Sequence, residues 1–221
     1  MAYLHVQYKN LRVSYLPELD GGGMDFGQEY LWVLEQKTGR VGHLFEFCAG
    51  PGFIGFSLLA HGLCERLTVA DINPAAVEAC RTTVRENGLE SKVAVYQSDC
   101  LDNIPPSEKW DLVVSNPPHW RSGEDAYVRD KRMWDPDLRI HEKFYRGIRP
   151  YLTPAGAILI QENGSATKAE DFRPMIEANG MTIVEEFKAK PISLLRCLLE
   201  GRRFKYARPS QYYYLLVRPT Q

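Results

Sequence analysis

Five short apolar runs, each closed by a polar residue, recur along the middle of the chain: HLFEF (43–47), LTVAD (67–71), VAVYQSD (93–99), DLVVSN (111–116) and AILIQEN (157–163). They are rich in Val, Ile and Leu and do not alternate with polar residues. This predicts strands buried on both faces of a parallel sheet. Helical patterns lie between them. The clearest is NPAAVEACRTTVRENG (73–88), where Asn73 can cap the N-terminus, Pro74 suits the first turn and Gly88 suits a left-handed stop. Strands and helices alternating at this spacing predict an α/β fold, a doubly wound and mostly parallel sheet covered by helices on both faces. MTIVEEF (181–187) and YYYLLV (212–217) read as two further strands, joined by a long connection without a helical repeat. They are expected to pair antiparallel at one edge.

The first part of the chain is less regular. Residues 3–19 hold strand-like pieces, DGGG (20–23) breaks the chain, and FGQEYLWVLEQK (26–37) can form a short helix. The expected division is a short strand and helix extension over 1–40, followed by one domain over 41–221. Composition fits this picture: 44% of the 221 residues are hydrophobic and 25% are charged. A formal net charge of −1 gives no global attraction to a polyanion. The five cysteines are an odd number and form no C-x-x-C pair, so neither a disulfide framework nor a metal site is expected. No run approaches the roughly 18 apolar residues of a membrane span. A reduced, cytoplasmic protein is the simplest expectation.

In an open α/β sheet, ligands bind beyond the carboxyl ends of the strands. Glu46, Asp71, Asp99, Asn116 and Glu162 all fall there. EFCAGPGFIG (46–55) places Gly50, Gly52 and Gly55 in the pattern G-x-G-x-x-G, a tight strand-to-helix turn that lets a ligand approach the backbone. Asp71, at the end of the next strand, can accept hydrogen bonds from both hydroxyls of a ribose. Asp99 can accept from an adenine amine with the Cys100 amide nearby, or simply cap a turn. Dinucleotides and S-adenosylmethionine share this arrangement. Glu46 at the mouth of the loop would oppose a pyrophosphate at the helix N-terminus and suit a sulfonium with a cationic tail.

SNPPHW (115–120) ends the fourth strand beside that loop. Pro117 holds Asn116 extended, and the two prolines stiffen the turn. The Asn116 side-chain oxygen, with its own backbone carbonyl or that of Pro117, offers two acceptors that can converge on one amine. A conjugated amide or arylamine is a poor nucleophile. Holding both of its N–H groups favours a pyramidal nitrogen with its lone pair aimed at a methyl carbon, which needs no strong base. Pro118, His119 and Trp120 could then wall in a planar substrate.

With these residues the chain resembles the class I S-adenosylmethionine-dependent methyltransferases. More narrowly, it resembles the N/D-P-P-Y/F branch that includes release-factor glutamine N5-methyltransferases and N6-adenine methyltransferases. The resemblance is clearest over 40–165. It implies a seven-stranded Rossmann-like sheet with an antiparallel last strand, and S-adenosyl-L-methionine bound by Glu46, Cys48, Ala49, Gly50, Gly52, Asp71, Ile72, Asp99, Cys100 and Asn116. It gives Asn116 and Pro117 the target nitrogen. The chain departs from the family where Glu46 replaces the usual Asp, Cys48 the first glycine and His119 the Tyr or Phe.

The acceptor class stays open among a protein amide, a nucleic-acid base and a small metabolite. Residues 120–135 could close over it as a lid, or be a solvated loop before a helix from about Asp137. The stretch 188–208, with seven basic residues, could meet RNA or an acidic protein, or be an ordinary solvated face. Glu162 or Asn163 could face the substrate or only form a turn, and His141 is expected on a helix with no role. Two rival functions remain: a nicotinamide-dependent oxidoreductase, and a non-catalytic subunit that keeps the fold to bind RNA or a protein.

Overall fold

Each apolar run becomes a strand of one sheet in the computed structural model, which describes residues 2–199 and 209–220. The strands are β3 (Val41–Phe47), β4 (Cys64–Asp71), β5 (Val93–Gln97), β6 (Trp110–Ser115) and β7 (Leu152–Asn163), with β8 (Met181–Phe187) and β9 (Tyr212–Pro219) beyond them. Their order across the sheet is β5-β4-β3-β6-β7-β9-β8. Pairing is parallel from β5 to β7, and β9 is antiparallel to both β7 and β8. This is the seven-stranded, mostly parallel sheet expected from the sequence. The chain winds outward from β3 to β5 and returns to β6 on the other side of β3, so the strand order reverses between β3 and β6. A crevice opens at the carboxyl ends of strands at such a point.

The apolar faces of the helices close both sides. One core packs α2 (Tyr30–Lys37) and α3 (Phe53–Ala60) on the sheet through Leu34, Phe53, Phe56 and Leu58, together with Leu44, Val69 and Val114. The other packs α6 (Arg139–Ile148) and α7 (Ala169–Ala178) through Phe144, Ile148, Phe172 and Ile176. The Phe47 and Phe144 rings stack with centroids 4.3 Å apart. Each fully buried side chain of this size contributes about 1.5–3 kcal/mol relative to exposure.

Helix α4 (Pro74–Glu86) forms as its end signals require. The Asn73 side chain accepts from Ala75 N at 3.0 Å, and Gly88 stops it with φ +62°. Before the sheet, β1 (Leu4–Tyr8) and β2 (Leu11–Tyr15) form an antiparallel hairpin. The hairpin sits on α4, where Ser14 N donates to Thr83 Oγ1 at 2.9 Å and Ser14 Oγ to Glu86 at 2.6 Å. The single helix expected over 26–37 is instead two. A short α1 (Gly23–Phe26) grows out of the glycine run, a 3-10 turn covers Gly27–Glu29, and α2 follows. Asp20 makes this possible by accepting from Gly22 N at 2.8 Å. The connection before β9 also contains a helix, α8 (Leu194–Leu199), with less than two turns in which to show a period. The part of the basic stretch from 200 to 208 lies outside the described residues.

Candidate active site

An open cleft lies at the carboxyl ends of β3, β4, β5 and β6. Its walls bring together Glu46, Cys48, Ala49 and Gly50 after β3, Asp71 and Ile72 after β4, Asp99 and Cys100 after β5, and Asn116 with Pro118 after β6. Gly52, Pro117, His119 and Trp120 do not line it. Of the fourth side, the sequence pointed to the segment 120–135 but not to the loop before α1. That side is made by Leu19, Gly21 and Gly23 from the loop first read only as a chain break, and by Tyr127, Lys131 and Arg132 from the segment after the N-P-P turn.

The glycine loop is shaped by left-handed backbone and by two carboxylates. Gly50 and Gly52 have φ +52° and +79°, and Cys48, in the place of the family's first glycine, also lies at φ +51°. A side chain there costs about 1–2 kcal/mol. The loop keeps a glycine-like path despite the substitution. Asp71 holds it from below, accepting from Gly50 N at 2.7 Å and from Asn73 N at 2.8 Å. Burial raises the Asp71 carboxyl above its ordinary value, and those backbone bonds partly offset the rise. A carboxylate has about four acceptor sites, so Asp71 keeps capacity for a hydroxyl group beyond its backbone amides.

Glu46 differs from expectation. It is only 2% exposed, and its carboxylate caps α3, accepting from Gly55 N at 2.7 Å and Ile54 N at 3.3 Å. A Cβ on Gly55 would stand 2.7 Å from Glu46 Oε2, so the third glycine makes room for this acid. Burial pushes the Glu46 carboxyl up to about 8, against the pull of the two amides. It is the floor of the cleft, not a charge at its mouth. The thiols of Cys48 and Cys100 are also raised by burial, Cys100 to about 12, which excludes them as thiolate nucleophiles near neutral pH.

Asp99 is half-exposed and paired with Lys143 Nζ at 2.7 Å. Lys143 lies on α6 and also holds Asp102 at 2.7 Å. Sequence reading could not find this partner, which comes from 44 residues away (143 − 99).

The acceptor side needs a larger correction. His119 does not form a wall. Its ring is buried, with Nδ1 3.1 Å from Glu162 Oε2 and Nε2 3.0 Å from Asn116 Oδ1. Glu162 is fully buried and its other oxygen meets His141 Nε2 at 2.9 Å, while His141 Nδ1 meets Asp135 Oδ2 at 2.6 Å. Both ring nitrogens of His141 face carboxylates. Burial alone would lower its pKa, but Glu162 and Asp135 lift it to about 10. Burial would likewise raise Glu162, yet the His141 charge and the two imidazole bonds hold it below the usual carboxylate value. Neither Glu162 nor Asn163 lines the cleft; Asn163 accepts from Ser165 N at 2.9 Å in a turn. His141, expected to have no role, stands at the centre of a buried polar chain running Asp135–His141–Glu162–His119–Asn116.

Trp120 is also turned from the cleft lining. Its N–H donates to Met133 O at 3.0 Å and its carbonyl accepts from Asp135 N at 2.9 Å, which ties the two ends of 120–135 together. Between them α5 (Glu124–Arg129) presents Tyr127 to the cleft. Arg132 Nη1 donates to Glu18 O at 2.6 Å, joining this segment to the loop on the opposite rim. Among the described residues there is no cluster of three metal-ligating side chains, and no helix is long and apolar enough to cross a membrane.

Comparison with known proteins gives this geometry its family. The family model described as "Methyltransferase small domain" matches residues 21–168. The chain belongs to the methyltransferase small domain family. The relatives in that family include class I S-adenosylmethionine-dependent methyltransferases, and the sheet described above is the Rossmann-like one of its structural neighbours. The chain is 34% identical over 121 residues to a ribosomal RNA small subunit methyltransferase C of Actinobacillus pleuropneumoniae, a match covering 54% of this chain and 36% of that protein. It is 29% identical over 212 residues to a release factor glutamine methyltransferase of Clostridium acetobutylicum, covering 84% and 74%. The matched region thus spans about a third of the length of the first of these relatives. Among solved structures, the T. thermophilus 16S rRNA N2 G1207 methyltransferase, in complex with AdoMet and guanosine, superposes with a TM-score of 0.61 over 99% of this chain and 50% of that one. At 13% identity that likeness concerns the fold. The methyltransferase cleft accommodates a nucleoside with a charged tail. Asp71 retains acceptor capacity, the left-handed turn at Gly50 presents backbone to the cleft, and the lining draws on the ends of β3, β4, β5 and β6.

Proposed function

We propose that this methyltransferase acts on an exocyclic amine or amide nitrogen of an RNA base or a protein. The observation that carries this reading is Asn116, placed on the cleft wall at the end of β6 and followed by two prolines. S-adenosylmethionine, when bound, supplies an electrophilic methyl on a sulfonium. The residues of this chain do the rest. Asp71 takes the ribose hydroxyls and Asp99, steadied by Lys143, faces the adenine edge. Glu46 sits beneath the tail as a buried carboxyl that holds its proton up to about pH 8 in the free protein and would ionise against a cationic tail. Asn116 Oδ1 and the Asn116 backbone carbonyl hold the N–H groups of the acceptor, aiming its lone pair at the methyl. Such alignment needs no strong base, because the nitrogen loses its proton only after it has been alkylated. The relatives named for ribosomal RNA and for release-factor glutamine support a planar, conjugated nitrogen in a macromolecule.

The test is incubation of the protein with methyl-labelled S-adenosylmethionine and a cell extract, then separation into RNA, DNA, protein and small-molecule pools. The expected result is label in RNA or protein that survives mild alkali, as N-methyl groups do and methyl esters do not. Label confined to small molecules or to alkali-labile esters would overturn the reading.

A further inference from the structure

The buried chain behind Asn116 contains more order than a turn requires, and its protons can be assigned from its acceptors. Glu162 meets His141 with one oxygen and His119 with the other, and an ionised carboxylate only accepts. His119 Nδ1 therefore carries a proton. Its Nε2 faces the Asn116 carboxamide, with Oδ1 at 3.0 Å. In that arrangement Nε2 is also a donor and the ring is an imidazolium. When Nε2 loses its proton it becomes an acceptor, and of the two ends of the Asn116 carboxamide that face it only Nδ2 can donate. A half-turn of the carboxamide provides that donor with no other movement, and it turns Oδ1 away from His119.

Resting on the methyl-transfer reading above, we propose that His119 is a positioning residue. Its proton decides which end of the Asn116 carboxamide faces the cleft, and the neutral ring presents Oδ1 to the acceptor's N–H. Two physical effects favour the neutral ring for catalysis. A free Oδ1 is a better acceptor than one already bonded to a cation. The acceptor nitrogen also gains positive charge in the transition state, which an imidazolium one residue behind Asn116 would oppose. The groups facing His119 are few. Glu162 comes from β7, and Tyr212 at the start of β9 has its ring 5.7 Å away and its phenol raised chiefly by burial. Behind Glu162 stand His141 on α6 and Asp135 before it. With its second oxygen on His141, Glu162 keeps His119 Nδ1 protonated throughout, so the titration falls on Nε2. A Tyr or Phe at 119 would lack both nitrogens.

The test uses the full chain without cofactor. Nitrogen-15 NMR follows the His119 ring and the Asn116 side-chain amide through a pH series over which the protein stays folded. The expected result is that Nδ1 stays protonated, Nε2 loses its proton, and the Asn116 Nδ2 protons shift at the same midpoint. Asn116→Asp keeps the fold and offers only acceptors, so it should move the Nε2 midpoint upward. His119→Phe should remove the pH step from Asn116. Asn116 resonances that stay flat through the His119 titration, or a His119 midpoint unchanged in Asn116→Asp, would overturn the proposal. With labelled S-adenosylmethionine and the acceptor pool that takes the label, the wild-type rate should fall about tenfold per pH unit below that midpoint. His119→Phe should be slower but lack this limb. A limb that persists in His119→Phe counts against the proposal, whereas no label transfer at any pH in the wild type bears on the proposed function alone.

Discussion

The two walls of the cleft hold their polar groups by different means. On the glycine-loop side, carboxylates rest on backbone amides: Glu46 on Gly55, nine residues ahead, and Asp71 on Gly50 and Asn73. On the acceptor side, side chains rest on side chains drawn from far apart, with 43 residues between His119 and Glu162 and 21 between His141 and Glu162. The first wall shapes a loop, and the loss of one acid leaves amides at the edge of a cleft that water can reach. The second is a charged chain inside the protein, where the loss of one member strands the charge of the next. The loop wall is thus built to receive a ligand, and the acceptor wall to hold one carboxamide still.

That contrast can be broken at Glu162. Glu162→Ala leaves the His141 imidazolium buried with only Asp135, and removal of one partner of a buried pair costs about 3–5 kcal/mol. Urea denaturation should show a loss of that size, with a smaller one for Glu162→Gln. A loss under about 1 kcal/mol would mean that the acceptor wall is no more rigid than the loop wall.

Next in size is Asn116→Ala. S-adenosylmethionine affinity should stay near wild type, since the ribose and adenine rest on other strands, and stability should fall only by about 1–3 kcal/mol for the lost bond to His119. Turnover should fall about 10²–10³-fold, as for loss of one preorganised polar group at a reacting centre. A stable Asn116→Ala protein with wild-type turnover would leave the acceptor wall without a role in the chemistry.

Asp71→Ala probes the other wall. It should weaken S-adenosylmethionine binding by about 1.5–3 kcal/mol, the usual contribution of hydrogen bonds to a charged group. Calorimetry measures this directly. Micromolar binding of NAD by the wild type, with no heat from S-adenosylmethionine, would contradict the assignment of the cleft.

The smallest effect is a slope with pH. The folded pKa of His141 is raised to about 10, so its contribution to stability is complete below the ordinary 6.5 and shrinks as pH rises toward 10. The Glu46 carboxyl, raised to about 8, also lowers stability as pH rises, but its contribution ends near pH 8. The thiols of the unfolded chain ionise at about pH 8.5 while the buried Cys48, Cys64, Cys80 and Cys100 are held protonated, so they add to the decline from about pH 8 upward. The His141 share is therefore read as a difference: the urea midpoint should decline less steeply with pH in His141→Gln than in the wild type, the thiol and Glu46 contributions being common to both. An equal decline in both proteins would remove the imidazolium from the account of the acceptor wall.

The same contrast explains what could be read from the sequence. Features set by neighbours along the chain were legible. Asn73, Pro74 and Gly88 bound α4 because caps and stops act within one turn, and the apolar runs of β3 to β7 predicted the sheet and hence the edge where the cleft lies. The antiparallel pairing of β8 and β9 also followed from their pattern. Features set by distant partners were not legible. Nothing local to His141 says that Glu162 will lie 2.9 Å away, nor does DGGG say that its loop will meet Arg132. His119 was read as an exposed aromatic because the motif places it beside the site. Its burial depends on Glu162 filling the space behind it. Helix α8 escaped because six residues cannot display a helical period.

The position of β9 has a consequence for how the chain comes to be folded. It is the last of the sheet's strands in sequence, yet it lies between β7 and β8 and is the one strand of the sheet that pairs with β8. While the chain is being made, at about 5–20 residues per second, β8 has no place in the sheet until Tyr212 and the residues after it have been added. For that interval the edge of β7 is an open template for strand addition. Tyr213, Tyr214, Leu215 and Val217, nearly or wholly buried in the finished sheet, are the side chains that end that exposure.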